Sequence, residues 1–268
     1  MEYKAIKYEK EGTIGIVTLN RPDSYNAVNS EMKDDLLHVF GKIHNDKSLR
    51  AIMLTGEGRG FSAGADLKSF TDAELSTPHD IENDLNLRWA NITRRIMNLD
   101  KPVIAAVNGS VAGASLGFML ACDFIVMSDT ASLRYPFINI ALVPDAGSSW
   151  FLIQTVGYHK AMQIIAGGEK ISAVDCKTLG IVHSVFSHDT FREDAMSFTE
   201  KIAEGPTAAI VSTKRLLRYA EFNGLNNTME MEGTEQAKNI MGVDNVEGVQ
   251  AFLDKRKPNF TGIGYTDK

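Results

Sequence analysis

Lys101-Pro-Val-Ile-Ala-Ala-Val-Asn-Gly109, running on through Ser110-Val-Ala-Gly-Ala-Ser-Leu-Gly-Phe-Met-Leu-Ala-Cys122-Asp123, holds a buried strand, a glycine turn and a helix in one stretch. Val103 to Val107 is short, apolar and rich in β-branched residues, and Asn108-Gly109 closes it as turn residues do. Gly113 and Ala114 then lead into a helical pattern from Ser115 to Cys122. The same order recurs on both sides. Ile14 to Leu19 reads as a strand bounded by Gly12 and Asn20-Arg-Pro22, and Ala51 to Thr55 as one closed by Gly56-Glu-Gly-Arg-Gly60. Phe124 to Met127 and Ile181 to Phe186 give two more. Ser30 is placed to cap a helix in which Met32, Leu36, Val39, Phe40 and Ile43 recur at three- and four-residue steps, and Gly147 to Val156 is also helical in pattern. Strand, glycine turn and helix in repetition predict an α/β fold with its turns gathered on one side, where binding groups collect.

From about residue 200 the character changes, so residues 1–200 are expected to form the α/β core and 201–268 a helical C-terminal region. Gly205-Pro206 starts a helix with proline in its first turn, running through Tyr219; further helical stretches cover Met229 to Met241 and Val246 to Arg256. Their apolar faces must pack on the core or on another subunit. Lys68 to Leu85 is polar and only partly periodic, and reads equally as a flap or an irregular helix. Its acidic residues Asp72, Glu74, Asp80 and Glu82 are expected on a solvated face.

With 268 residues, 44% of them hydrophobic, the chain can bury a substantial core without disulfides or structural metal. A formal charge of −6 argues against nucleic acid as a partner, because phosphate binding needs a concentrated positive surface. The two cysteines, Cys122 and Cys176, lie in no metal or redox spacing and are expected to be buried free thiols in a reducing, cytoplasmic setting. Met1 to Lys10 is charged and lacks the apolar run of a signal peptide, and no stretch approaches a membrane span. His38, His44, His79, His159, His183 and His188 show no paired metal spacing, so no metal site is expected.

Four stretches carry a resemblance. They are Asn20-Arg-Pro22 with Asn26-Ala27; Gly60-Phe-Ser-Ala-Gly-Ala-Asp-Leu-Lys68; Lys101 to Gly109 running on to Cys122-Asp123; and Glu247-Gly248 with Ala251-Phe-Leu253 and Lys255-Arg256. In order and spacing they resemble the crotonase (enoyl-CoA hydratase/isomerase) superfamily from end to end. The resemblance implies a crotonase-like spiral of ββα turns with a helical C-terminal region, homotrimers that often pair into hexamers, and an acyl-CoA thioester substrate. It implies no cofactor beyond the coenzyme A moiety of that substrate. The residues themselves suit such a task. Small side chains in Ser62-Ala-Gly-Ala-Asp66 let a ligand approach the backbone, and Gly113-Ala114-Ser115 opens a helix whose first N–H groups lack internal partners. Two N–H groups aimed at a thioester oxygen stabilise its enolate, by roughly 3–4 kcal/mol per donor. The resemblance assigns these donors to Ala65 and Ala114, the latter in place of the more usual glycine. Taken alone, the same residues read as ordinary tight turns.

Hydration of an enoyl thioester calls for two acid/base groups around one water. The superfamily's hydratases use two glutamates, and the matching positions here hold Gly117 and Phe137, neither able to carry a proton. One carboxylate remains nearby, Asp145 in Leu142-Val-Pro-Asp-Ala-Gly147. Its position resembles the single acid of the Δ3-Δ2-enoyl-CoA and ring-epoxide phenylacetyl-CoA isomerases. The position is also similar to the nucleophilic Asp of the superfamily's aryl-CoA dehalogenases, but these use a supporting His and Trp, and the matching positions here hold Ala90 and Phe137. Gly117, Phe137 and Trp150 are expected at the substrate pocket, and a pocket lined by Phe137 and Trp150 would exclude water and raise the Asp145 pKa. Other readings stay open: Asp145 as a helix cap, a hydratase with a non-standard base, or a catalytically silent CoA-binding subunit. For coenzyme A, the resemblance implies Ala27, Ala63, Asp66, Leu67 and Lys68 along the adenine and pantetheine. It implies Phe252 and Lys255 reaching the nucleotide from the tail of this or a neighbouring subunit.

Overall fold

In the computed structural model, which describes residues 3–68 and 76–265, the chain steps back and forth between two sheets as it advances. The first sheet has the order β1 (Ile6–Glu11), β2 (Ile14–Leu19), β3 (Ala51–Gly56), β5 (Val103–Val107), β7 (Phe124–Ser128) and β10 (Ser184–Phe186). The second is β4 (Gly60–Ser62), β6 (Ser110–Ala112), β8 (Ser132–Arg134) and β9 (Lys170–Ser172). So β3 hands the chain to β4, β5 to β6 and β7 to β8, one strand per sheet per turn. Apart from the antiparallel β1–β2 and β8–β9 pairs the strands run parallel. Burial on both faces explains why β2 and β5 read as unbroken apolar runs.

Glycines make the corners between sheets. A Cβ on Gly56 would sit 2.3 Å from the Gly60 carbonyl oxygen, and one on Gly109 would sit 2.2 Å from that of Arg59. Asn108 ties the same corner, accepting from the Gly56 N–H and donating to Gly58 O at 2.9 Å.

Helices cover the sheets and carry the site. Beyond α1 (Ser30–Asn45) come α2 (Pro78–Asp84), a π-helical turn (Leu85–Trp89), α3 (Ala90–Met97), α4 (Ser115–Ala121), α5 (Ser148–Val156), α6 (Tyr158–Gly167) and α7 (Ala173–Thr178). Then follow α8 (Phe191–Ala203), α9 (Thr207–Ala220), α10 (Leu225–Ile240) and α11 (Val243–Asp254). Helix α8 crosses the residue-200 boundary and packs on β3 of the core. Three local expectations need correction. Asn29, not Ser30, caps α1, its side chain accepting from the Met32 N–H. Pro206 stands at the cap of α9 rather than inside its first turn. Val182 and its neighbours lead into β10, which begins only at Ser184. Asp72 and Glu74 lie outside the described residues, while Asp80 and Thr77 form a capping box at the start of α2.

The C-terminal helices are riveted to the core by buried charge. Lys214 of α9 donates to Asp123 Oδ2 at 2.8 Å and to the carbonyls of Ile96 and Lys101. Asp123 Oδ2 also accepts the Val103 N–H at 2.8 Å, so one carboxylate joins α9 to the start of β5. Farther out, α11 leaves Val243, Val246, Phe252 and Leu253 exposed.

Candidate active site

The loop after β4 and the turn after β6 meet backbone to backbone. Gly64, at φ +93°, has its missing Cβ 2.8 Å from the Ala112 carbonyl oxygen and 3.2 Å from the Ala114 nitrogen. Gly113, at φ +61°, faces the Cα of Gly64 in return. A side chain at Gly64 would clash with this backbone, and at Gly113 the positive φ disfavours one. Hydroxyls stitch the crossing together: Ser115 Oγ donates to Ala112 O at 2.7 Å, with a longer contact of 3.2 Å to Ser62 O, and Ser62 Oγ donates to Asn26 O at 2.8 Å.

The crossing brings the backbones of Ala65 and Ala114 to adjacent turns. Val28 bridges Ala65 by donating to Gly64 O at 2.8 Å and accepting from the Asp66 N–H at 3.0 Å. That pattern uses the neighbours' polar groups and turns the Ala65 N–H to the opposite side. Ala114 precedes the first turn of α4, where an N–H has no intrahelical acceptor. Among the described residues neither N–H donates to a protein group.

Asp145 stands on a turn packed against the same helix. Its successor Ala146 takes a left-handed φ of +51°, and Gly147 follows at +84°. Gly117, three residues beyond Ala114, lies under this turn; a Cβ there would sit 2.2 Å from the Ala146 carbonyl oxygen. Gly117 therefore lines no open space of its own. It makes room for the backbone that presents Asp145. The Asp145 side chain is half-buried: Oδ1 is buried and has no hydrogen-bond partner among the described residues. Burial pushes the Asp145 carboxyl up to about 6, against a smaller opposing pull from its own backbone N–H. The helix-cap reading finds no support, since α5 starts after Gly147 with no side-chain cap.

Phe137 is 6% exposed at the head of a short 3-10 turn and tilts against Tyr135, ring centroids 6.3 Å apart. Trp150 is half-buried, and its indole stacks on Phe222 beyond α9, 5.5 Å away at 10°. Ala27, Ala63, Asp66, Leu67 and Lys68 come together on one ridge. Arg21 spans it, with Nη2 3.0 Å from Asp66 Oδ2 and Nη1 donating to Ala27 O. Leu67 and Lys68 are exposed. Phe252 is 83% exposed on α11, and Lys255 ends that helix in a left-handed conformation. No hydrogen bond or ion pair among the described residues joins these two to the ridge. Sequence reading missed Arg21, although it sits inside a quoted motif. Among the described residues no cluster of three His, Cys, Asp or Glu side chains could hold a metal, and no helix is long and apolar enough to cross a membrane.

A two-sheet ββα spiral with a helical C-terminal region is the architecture of the crotonase superfamily. The chain belongs to the enoyl-CoA hydratase/isomerase family, whose model matches residues 9–263. It is 33% identical over 246 residues to the 1,2-epoxyphenylacetyl-CoA isomerase of Escherichia coli K12, covering 92% of this chain and 94% of that one. It is also 33% identical over 248 residues to the 2,3-dehydroadipyl-CoA hydratase of the same organism, again covering 92% and 94%. The crystal structure of an enoyl-CoA hydratase from Polaromonas sp. JS666 superposes with a TM-score of 0.90 at 31% identity, covering 96% of this chain and all of that one. Overall identity therefore does not separate isomerase from hydratase.

Proposed function

We propose that the protein is an enoyl-CoA double-bond isomerase, of the Δ3-Δ2 or ring-epoxide phenylacetyl-CoA type, in which Asp145 shuttles the proton. The observation that carries this reading is the contrast between Asp145, half-buried with a buried, unpartnered oxygen, and the buried Gly117 and Phe137 at the two hydratase positions. In the 3-enoyl case the Asp145 carboxylate removes a proton from C2. The C2–H electrons form the C1–C2 double bond of a dienolate, with negative charge on the thioester oxygen. The N–H groups of Ala65 and Ala114 donate to that oxygen. Protonated Asp145 then gives the same proton to C4; the double bond ends between C2 and C3 and the carboxylate is restored. A carboxyl near 6 suits both halves, being ionised enough to accept and acidic enough to return the proton.

The thioester's coenzyme A moiety is the only cofactor group in this scheme. Ala27, Ala63, Asp66, Leu67 and Lys68 would border it, and Phe252 and Lys255 would meet its nucleotide end, in this subunit or a neighbour. The exposed apolar positions of α11 support assembly with further copies of the chain, which the family resemblance implies as a homotrimer or a pair of trimers.

The test supplies 3-enoyl-CoA and 2-enoyl-CoA esters separately and follows the conjugated thioester by absorbance and mass. The proposal expects conversion of the 3-enoyl ester, lost in Asp145→Asn. Gain of one water by the 2-enoyl ester would favour a hydratase with another base. Tight CoA binding with neither change would favour a silent subunit.

A further inference from the structure

The half-buried carboxylate depends on a turn that should not hold itself. Ala146 is a non-glycine residue at positive φ, a conformation that L residues adopt at a cost and keep only when neighbours fix it. Two neighbours do. Gly117 leaves space for its carbonyl, and Thr93 Oγ1 donates to that carbonyl at 2.9 Å. Thr93 lies on α3, 5% exposed, and a longer contact of 3.3 Å runs to Trp89 O. A hydroxyl has one proton, and the shorter, better-formed contact is the one to Ala146. The Thr93 methyl carbon also lies 3.7 Å from where a Gly147 side chain would begin, so the same residue flanks the next position of the turn.

The placement of Thr93 is itself fixed. The π-helical turn just before α3 adds a residue to one helical turn, with the Ala90 N–H donating to Leu85 O. Such an insertion rotates everything after it, and it is found often at functional sites. Trp89, which ends the turn, stacks on Phe118 of α4 at 5.4 Å and 20°. Its indole N–H donates to Asp84 Oδ2, and Lys33 holds both oxygens of Asp84 at 2.6 Å. Helices α3 and α4 thus grip Ala146 from two sides.

We propose that Thr93 is a positioning residue for the proton transfer, its hydroxyl holding the Ala146 carbonyl so that the left-handed turn aims the Asp145 carboxylate. This rests on the reading of Asp145 as the proton carrier. Loss of the hydroxyl lets the turn relax, and a displacement of order 1 Å at a reacting group can cost roughly a hundredfold in rate.

Thr93→Val removes the hydroxyl at nearly constant shape, Thr93→Ser keeps it and drops the methyl, and Asp145→Asn serves as the control. Each is assayed on a 3-enoyl-CoA thioester, with thermal melts alongside. The expected result is a kcat at least about tenfold lower in Thr93→Val with KM within about twofold, and kcat within about threefold of wild type in Thr93→Ser. A Thr93→Val enzyme with wild-type kcat, or equal losses in the two Thr93 variants, would overturn the inference while leaving Asp145 in place. If Asp145→Asn keeps full activity, the Asp145 reading fails and the Thr93 role falls with it. Should Thr93→Val not fold, a Thr93→Ser enzyme of wild-type stability and tenfold lower kcat would still refute the role assigned to the hydroxyl.

Discussion

Asp145→Asn should abolish activity and change stability with a pH signature. The carboxyl stands near 6 in the fold, because burial disfavours its charge, against 3.8 when free. A difference of about two units corresponds to roughly 3 kcal/mol, which the folded state loses when the group must ionise. The sign follows from proton counting. Between the two values the folded state holds more protons than the unfolded one, so stability falls as pH rises. The loss begins above the unfolded value and is complete above the folded one. At pH 8 it is about 3 kcal/mol, and at pH 5 only about half of that. Asparagine keeps the shape without the charge but buries an amide with an unpaired group, which costs roughly 1–3 kcal/mol at any pH. That cost cancels when the wild-type and variant difference is compared between pH values. Urea unfolding at pH 5 and pH 8, at one fixed protein concentration and without ligand, should therefore show the variant gaining about 1–2 kcal/mol relative to wild type on going to pH 8. A difference that is flat with pH, or that moves against the variant, would refute the claim that Asp145 is buried and poorly solvated.

Three further outcomes follow from the same geometry. In the isomerisation assay, kcat/KM should rise with pH through about 6 and then level, since the base must be ionised to accept the C2 proton; a profile flat from pH 5 to 8 would contradict Asp145 as that base. Gly117→Ala forces a methyl into the Ala146 carbonyl and should cost roughly 1–3 kcal/mol in denaturant melts while lowering kcat, and Gly117→Glu should not create hydratase activity. Lys214→Met leaves Asp123 with its distant Arg218 and one N–H, and should destabilise by about 3–5 kcal/mol with kcat per folded molecule unchanged.

How far the sequence could be read depended on how local each feature is. The long parallel strands β2, β3 and β5 announce themselves, because burial on both faces demands apolar runs and tight glycine exits. The second sheet does not. Its strands are three residues long, too short for a period, and their pairing is set by corners such as Gly56 and Gly109 that meet only in space. Gly64 and Gly113 were legible as turn residues, yet that one's missing Cβ faces the other's backbone is a tertiary fact. The emptiness of positions Gly117 and Phe137 could be seen in advance, whereas the reason for a glycine at 117 could not, because Ala146 lies 29 positions away in the chain. Thr93 was invisible for the same reason: a threonine in a helix has no pattern, and its partner is a carbonyl 53 residues on. Trp150 and Phe222 show the limit from the other side, since an aromatic expected at the substrate pocket can be engaged by the C-terminal region.

The most direct measurement follows the proton itself. A 3-enoyl-CoA thioester carrying deuterium at both C2 positions is turned over in ordinary water, and the product is read by mass and NMR. If Asp145 carries the proton within a closed site, part of the deuterium removed from C2 appears at C4, and Asp145→Asn forms no product. Product from Asp145→Asn at the wild-type rate, or a product heavier by one water with C4 unlabelled, would contradict the assignment.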